Sequence, residues 1–212
     1  MPATAPTRRL RPRKTPSQAR SRETVAVILR AAAQVFARHG YAAGTTNRIA
    51  ERAGVSVGSL YEYFPNKDAL LVALMAEHIR EGEALLLRTA ADLPTGSYTL
   101  RAVVHRFVTA MVALHDRDAA LHRVLFEQTP LPRPIRDLLD AVEGRVTRVV
   151  AAMLERQPDV RLPHPERAAR LVVQVVEALT HRHVLDAHHD GDSAFVDEVV
   201  TLVVAYLTAQ NV

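Results

Sequence analysis

Thr45-Thr-Asn-Arg-Ile-Ala-Glu-Arg-Ala-Gly54-Val-Ser56-Val-Gly-Ser-Leu-Tyr-Glu-Tyr-Phe-Pro-Asn-Lys67 is the stretch on which the reading of the fold turns. It reads as two short helices joined at a tight corner. Thr46 is the expected N-cap of the first, Ile49, Ala50 and Ala53 its inward positions, and Gly54 its stop, because a residue just past a helix end often needs the positive φ that glycine adopts without penalty. Ser56 then caps a second helix that turns Leu60 and Tyr63 inward, and small Ala50 lets the two cross closely. Ile49, Ala50, Ala53, Val55, Leu60 and Tyr63 around a glycine corner form the packing pattern of a helix-turn-helix, whose second helix enters the DNA major groove. An ordinary helical hairpin can use the same corner, but six inward positions, two caps and basic flanks favour the helix-turn-helix.

The same residues carry a family resemblance. Thr46 to Lys67, continuing Asp68-Ala69-Leu70-Leu71, resembles the DNA-binding signature of the tetracycline-repressor (TetR) family over about residues 20 to 75. The remainder is similar to the family in being helical and about the right length. The resemblance implies that Thr46, Tyr61, Tyr63 and Lys67 contact phosphates. Val57, Gly58 and Ser59 begin the second helix and should approach base edges, Gly58 by allowing close approach of its backbone. Arg20, Arg22, Arg48 and Ser56 complete the candidate DNA-binding set.

Charge agrees with a polyanionic partner. The chain of 212 residues has a net charge of +4 at neutral pH. The segment from Met1 to Asn66 holds eleven Arg or Lys against Glu23, Glu51 and Glu62, hence +8, which leaves −4 for the rest. A basic head on a mildly acidic body points to nucleic acid as the partner of the head. Arg8 to Lys14 can be a solvated tail or an arm that follows phosphates into the minor groove. With 48% hydrophobic residues the chain can bury a sizeable core. No run approaches the roughly 18 to 20 apolar residues that span a bilayer, and no apolar signal-peptide core opens the chain, so a cytoplasmic protein is expected. The absence of cysteine excludes disulfides, thiolate metal sites and a cysteine nucleophile.

In chain order, residues 1–16 are rich in Pro, Thr and Arg and should form a disordered basic arm. Residues 17–66 should form the DNA-binding domain. Its first helix starts at Ser17 or Ser21 and runs to Gly40 with Val25, Ile28, Leu29, Ala32 and Phe36 on one stripe, and Phe64 plugs the three-helix core. Asn66 should cap a long helix from Lys67 to about Thr89 that connects the head to a ligand-binding and dimerisation domain of residues 67–212. Pro94-Thr95-Gly96 breaks the chain before a fifth helix that is apolar nearly all round. A short segment follows from Asp118 to Gln128, then Pro130, Pro132 and Pro134, and then helices from Ile135 to about Arg156, Pro165 to Ala187, and Ser193 to about Ala209. With no strand alternation and no repeat, the fold class is all-α with about nine helices.

Val199, Val200, Leu202, Val203, Val204, Tyr206 and Leu207 leave the ninth helix almost without a polar side, so a partner is expected to cover part of it, unless the helix sits at the centre of its own domain. An isologous homodimer through the last two helices is the simplest closed solution, and the family resemblance implies the same contact. Common catalytic constellations are missing, with no phosphate loop, zinc helix or nucleophile elbow, so no enzyme, no catalytic residue and no cofactor is expected. His181, His183, His188 and His189 are poorly spaced for chelation, and no metal is assigned. Gln174, Glu177 and His181 share one face of the eighth helix; they are either exposed or polar anchors of a cavity walled by Phe107, Met111, His115, Phe126 and Met153.

Together these features describe a sequence-specific regulator that binds double-stranded DNA. The expected form is a repressor released from a palindromic operator by a small, largely apolar effector. The alternative is a helical ligand-binding or scaffold protein whose basic head binds nucleic acid non-specifically.

Overall fold

A computed structural model of the chain describes residues 19–93, 98–127, 131–185 and 192–209, and among them it holds nine α-helices and no strand. The helices are α1 (Ala19–Ala43), α2 (Thr46–Ala53), α3 (Val57–Tyr63), α4 (Lys67–Ala91), α5 (Leu100–Asp116), α6 (Ala119–Phe126), α7 (Arg133–Leu154), α8 (Pro165–Leu185) and α9 (Asp192–Thr208). The all-α class and the element count follow the sequence. The expected arm of residues 1–16, the Pro94-Thr95-Gly96 break, Pro130, His188 and His189 lie outside the described residues.

The residues form two compact units. The first lies within Met1–His78 and Ala120–Leu138, the second within Ile79–Ala119 and Leu139–Val212. A division at Lys67, expected from the sequence, marks the start of α4. The compact units divide inside that helix, whose first turns bury Leu70, Leu71, Leu74 and Met75, and the first unit also takes in most of α6.

In the first unit, α1 packs on α2 and α2 on α3. Ile28, Ala32, Phe36, Ile49, Ala50, Leu60 and Phe64 are shut off from solvent. The regular part of α1 ends at Gly40. The chain kinks there, with φ 72° and ψ 172°, and takes one further turn to Ala43. Gly44 is small by necessity, since a Cβ on it would lie 2.5 Å from Phe36 Cδ1.

In the second unit, α5 packs against both α8 and α9. Leu100, Val104, Val108 and Val112 of α5 meet Ala168 and Ala169 of α8 and Val196, Val199, Val200, Val203 and Leu207 of α9 in one core, which Ala151 and Leu154 of α7 complete. Most of the valines of α9 are covered by its own chain, and the large apolar side chains left to solvent on α8 and α9 are Leu171, Leu179 and Leu202. Two helix starts also differ from expectation. α7 begins at Arg133 and carries Pro134 in its first turn, where a missing N–H costs nothing, and α9 begins at Asp192.

Candidate nucleic-acid interface

The corner between α2 and α3 is built by local hydrogen bonds. Thr45, rather than Thr46, caps α2: its extended backbone precedes the helix and its Oγ1 accepts from the Arg48 N–H at 3.3 Å. Gly54 ends α2 at φ 68°, and the paired bonds from the Gly54 N–H to the Glu51 carbonyl and from the Val55 N–H to the Ala50 carbonyl close a Schellman turn. Ser56 then caps α3, its Oγ accepting from the Ser59 N–H at 3.0 Å. The Ser56 and Ser59 hydroxyls also bond each other at 2.9 Å.

This geometry sorts the candidate residues. Leu60 and Phe64 face inward, while Val57, Gly58 and Tyr61 are exposed along the open side of α3. A Cβ at Gly58 would meet only Ser56 Oγ at 3.7 Å, so the fold itself does not demand glycine there. Thr46 stands in the first turn of α2, and its hydroxyl lies 3.1 Å from that of Tyr61, joining the two helices at the surface. Tyr63 is half-buried, Arg22 is exposed, and the Arg20 side chain is outside the described residues. Ser56 and Ser59 spend their hydroxyls on the cap.

Two of the assigned cations bond to carbonyls at the end of α1. Arg48 Nη1 donates to the Ala43 carbonyl at 3.0 Å, and Lys67 Nζ donates to the carbonyls of Tyr41 at 2.9 Å and Ala42 at 3.2 Å. Arg52 Nε donates to Gln34 Oε1 at 2.7 Å, tying α2 back to α1. Asn66 Oδ1 accepts from the Ala69 N–H at 2.9 Å and starts α4 as expected.

The chain matches the family described as bacterial regulatory proteins, tetR family, over residues 28–74, which contain this corner. Residues 99–207, half of the chain, match the tetracyclin repressor-like C-terminal domain. The chain belongs to the tetR family. It is 32% identical over 118 residues to an uncharacterised HTH-type transcriptional regulator, YvkB, of Bacillus subtilis, which covers 53% of this chain and 61% of that protein. It is 34% identical over 110 residues to the HTH-type transcriptional activator FasR of Mycolicibacterium smegmatis, covering 50% of this chain and 47% of that one. The chain thus spans only about half to three fifths of the length of these relatives. Its fold is similar to that of the transcriptional regulator FadR from Bacillus subtilis in complex with stearoyl-CoA, with a TM-score of 0.67 and 19% identity over 85% of this chain and 97% of that one.

In the second unit of this tetR-family chain, the residues expected to line a cavity are only partly assembled. Met111 and His115 are buried on α5, Phe107 and Met153 are half-buried, and the His115 and His181 rings lie 5.8 Å apart. Gln174 and Glu177 are exposed. Gln174 Nε2 donates to Glu143 Oε1 at 2.8 Å. Although Glu177 reaches solvent, the protein packed around its carboxyl removes part of its hydration, and this desolvation, then the Glu143 carboxylate, push it above its ordinary range. Phe126 belongs to the first unit, where its ring packs on those of His78 and His122. The reason is tertiary: the break after α5 returns the chain to the first unit before α7. His183 is stacked on Phe195 at 3.8 Å. No described helix is long and apolar enough to cross a membrane.

Proposed function

We propose that this chain is a dimeric, sequence-specific DNA-binding transcriptional regulator that uses α3 as its recognition helix. The observation that carries the reading is the division of α3 into a buried side, Leu60 with the following Phe64, and an exposed side of Val57, Gly58 and Tyr61. A bare glycine in the first turn lets a groove edge approach the backbone, and the Thr46–Tyr61 pair offers hydroxyls to phosphate at the flank. Selection of bound DNA from a random pool, followed by footprinting, tests the reading. Recovery of a short palindrome supports it, and binding without a preferred site returns the protein to the class of non-specific binders.

The homodimer of the proposal uses α8 and α9, where Leu171, Leu179 and Leu202 are 43%, 37% and 54% exposed in the single chain. The effector is proposed to be a largely apolar small molecule held by the second unit, with Met111, His115 and His181 among its contacts. The FadR relative holds stearoyl-CoA, which makes that compound the first probe. A ligand changes operator affinity only through different affinities for the two states, and the coupling is reciprocal. Titration of stearoyl-CoA with and without operator DNA tests this. Repression and release predict weaker ligand binding in the presence of operator, and equal dissociation constants would remove stearoyl-CoA as the inducer. A reporter assay with and without the protein assigns repression or activation.

A further inference from the structure

His78 of α4 and His122 of α6 bring two imidazole rings together in the first unit, with centroids 4.9 Å apart and planes tilted by 57°. Each ring offers a nitrogen, and the two nitrogens lie within 4.8 Å of each other. The Phe126 ring packs against both, with its centroid 4.8 Å from that of His122 and 5.6 Å from that of His78. No spacing in the sequence marks the pair, since the two residues stand far apart on different helices.

Aromatic rings in protein cores do meet at such distances and tilts. An imidazole, however, is polar, and burying it costs free energy that a leucine or phenylalanine in the same place would not. His122 is 3% exposed and bears that cost almost in full. His78 is half-buried and opens the pair to solvent. A buried ligand, a second ligand at the surface and an apolar wall are the parts of a metal site with an entry path. The distances agree. A tetrahedral ion bonded to nitrogen at about 2.0 to 2.1 Å holds two such nitrogens about 3.4 Å apart. The rings therefore need approach by at most about 1.4 Å, which rotation about the broad χ2 torsion of histidine supplies. Their tilt lets both direct a nitrogen at one centre, which face-to-face stacking would prevent.

We propose that His78 and His122 are two ligands of a divalent transition-metal site in the first unit, for an ion of the class that favours imidazole nitrogen, with zinc as its representative. The ion links α4 to α6. Two imidazoles fix its place without completing its coordination, so further donors fill the remaining positions. Both histidines bind it as neutral rings. Neither residue belongs to the proposed DNA-binding face of α2 and α3, and the site stands whether or not the protein selects a palindrome.

The test uses the full-length protein, stripped of metal by a chelator and titrated with zinc chloride in a calorimeter. Thermal melts with zinc or with magnesium run beside it. The site predicts one tightly bound zinc per chain and a melting temperature raised by zinc but not by magnesium, which prefers oxygen ligands. His78→Gln and His122→Gln should each weaken zinc binding at least about tenfold and abolish the rise, since loss of an outer partner alone typically costs about 10- to 100-fold. His105→Gln, which changes an exposed histidine of α5, should leave both measurements as in the wild type. Absence of zinc binding, or an affinity and a melting rise in His78→Gln equal to those of the wild type, overturns the proposal and leaves the three side chains as packed rings. An equal loss in His105→Gln overturns it too. If His122→Gln fails to fold, as seen by circular dichroism, the half-buried position decides through His78→Gln.

Discussion

The Thr46 hydroxyl and the Tyr61 hydroxyl lie 3.1 Å apart, linking the first turn of α2 to the second turn of α3 across the face proposed to meet DNA. Each hydroxyl thereby holds the other in place before any phosphate arrives. Tyr61→Phe keeps the ring and removes the link, at a cost to operator affinity of about 1 kcal/mol, roughly fivefold. Because phosphate contacts position and do not read sequence, non-specific DNA should lose the same factor. Thr46→Val should behave alike, and the double variant should cost little more than either single one, since the two hydroxyls act as one unit. Fluorescence anisotropy on operator and scrambled duplexes measures all three.

Two glycines in the head should respond oppositely to alanine. At Gly58 the added methyl meets nothing closer than 3.7 Å in the protein, and alanine is the better helix former, so Gly58→Ala should leave stability equal or raise it by up to about 1 kcal/mol. Its cost should fall on DNA binding, by about tenfold or more, if the groove edge approaches that backbone. At Gly44 the methyl would lie 2.5 Å from Phe36 Cδ1, with the ring buried and unable to retreat. Gly44→Ala should lower stability by about 1 to 3 kcal/mol and affect DNA binding only through that loss. Thermal melts beside binding curves separate the two.

The parts of the head legible in the sequence were those governed by chemistry within a few residues. Gly54 at positive φ needs only the lack of a Cβ, the Ser56 and Asn66 caps each need only one side chain and a backbone N–H three positions on, and each stands where expected. Thr45 and Thr46 are chemically alike, so composition did not tell which would cap α2. For Arg48 and Lys67 the limit is of a different kind. A cation beside a corner looks the same in sequence whether it meets phosphate or the carbonyls that end the preceding helix, five residues earlier for Arg48 and about twenty-five for Lys67. The valines of α9 show the same limit. Apolar periodicity says that they must be covered, but not whether α5 or a second copy covers them, and most of that cover comes from α5.

A dimer through α8 and α9 should therefore depend on the few apolar side chains that the chain leaves open. Leu202 is 54% exposed, so Leu202→Asp should leave the monomer folded, with a melting temperature within a few degrees of wild type. Placed in a dimer contact, the same carboxylate would be desolvated against an identical partner. The variant should then sediment as a monomer at concentrations where the wild type is a dimer, and bind a palindromic operator far more weakly. Sedimentation velocity measures the first effect. A dimer of unchanged strength would remove α9 from the interface.

Two carboxylates of the second unit should give opposite signs in a pH series. Glu83 accepts from Arg145 Nε at 2.5 Å and Nη2 at 2.9 Å, and these bonds hold its carboxyl below the ordinary value. A lowered folded pKa contributes stability above the unfolded value, near 4.5, and that stability disappears as pH falls through the folded value. Glu83→Gln should therefore destabilise the protein at pH 7, and the deficit should close on acidification. Glu177 is shifted the other way, by burial first and the Glu143 carboxylate second. Its ionised form is disfavoured in the folded state, so Glu177→Gln should stabilise at pH 7, with no gain below about pH 4. Solvent still reaches Glu177, and screening limits the gain to about 0.5 kcal/mol or less. Urea unfolding of both variants at pH 4 and pH 7 is the measurement. A loss of stability for Glu177→Gln at pH 7 would mean that its carboxylate has a cationic partner in solution, and that the Glu143–Glu177 face is no longer a repulsive one.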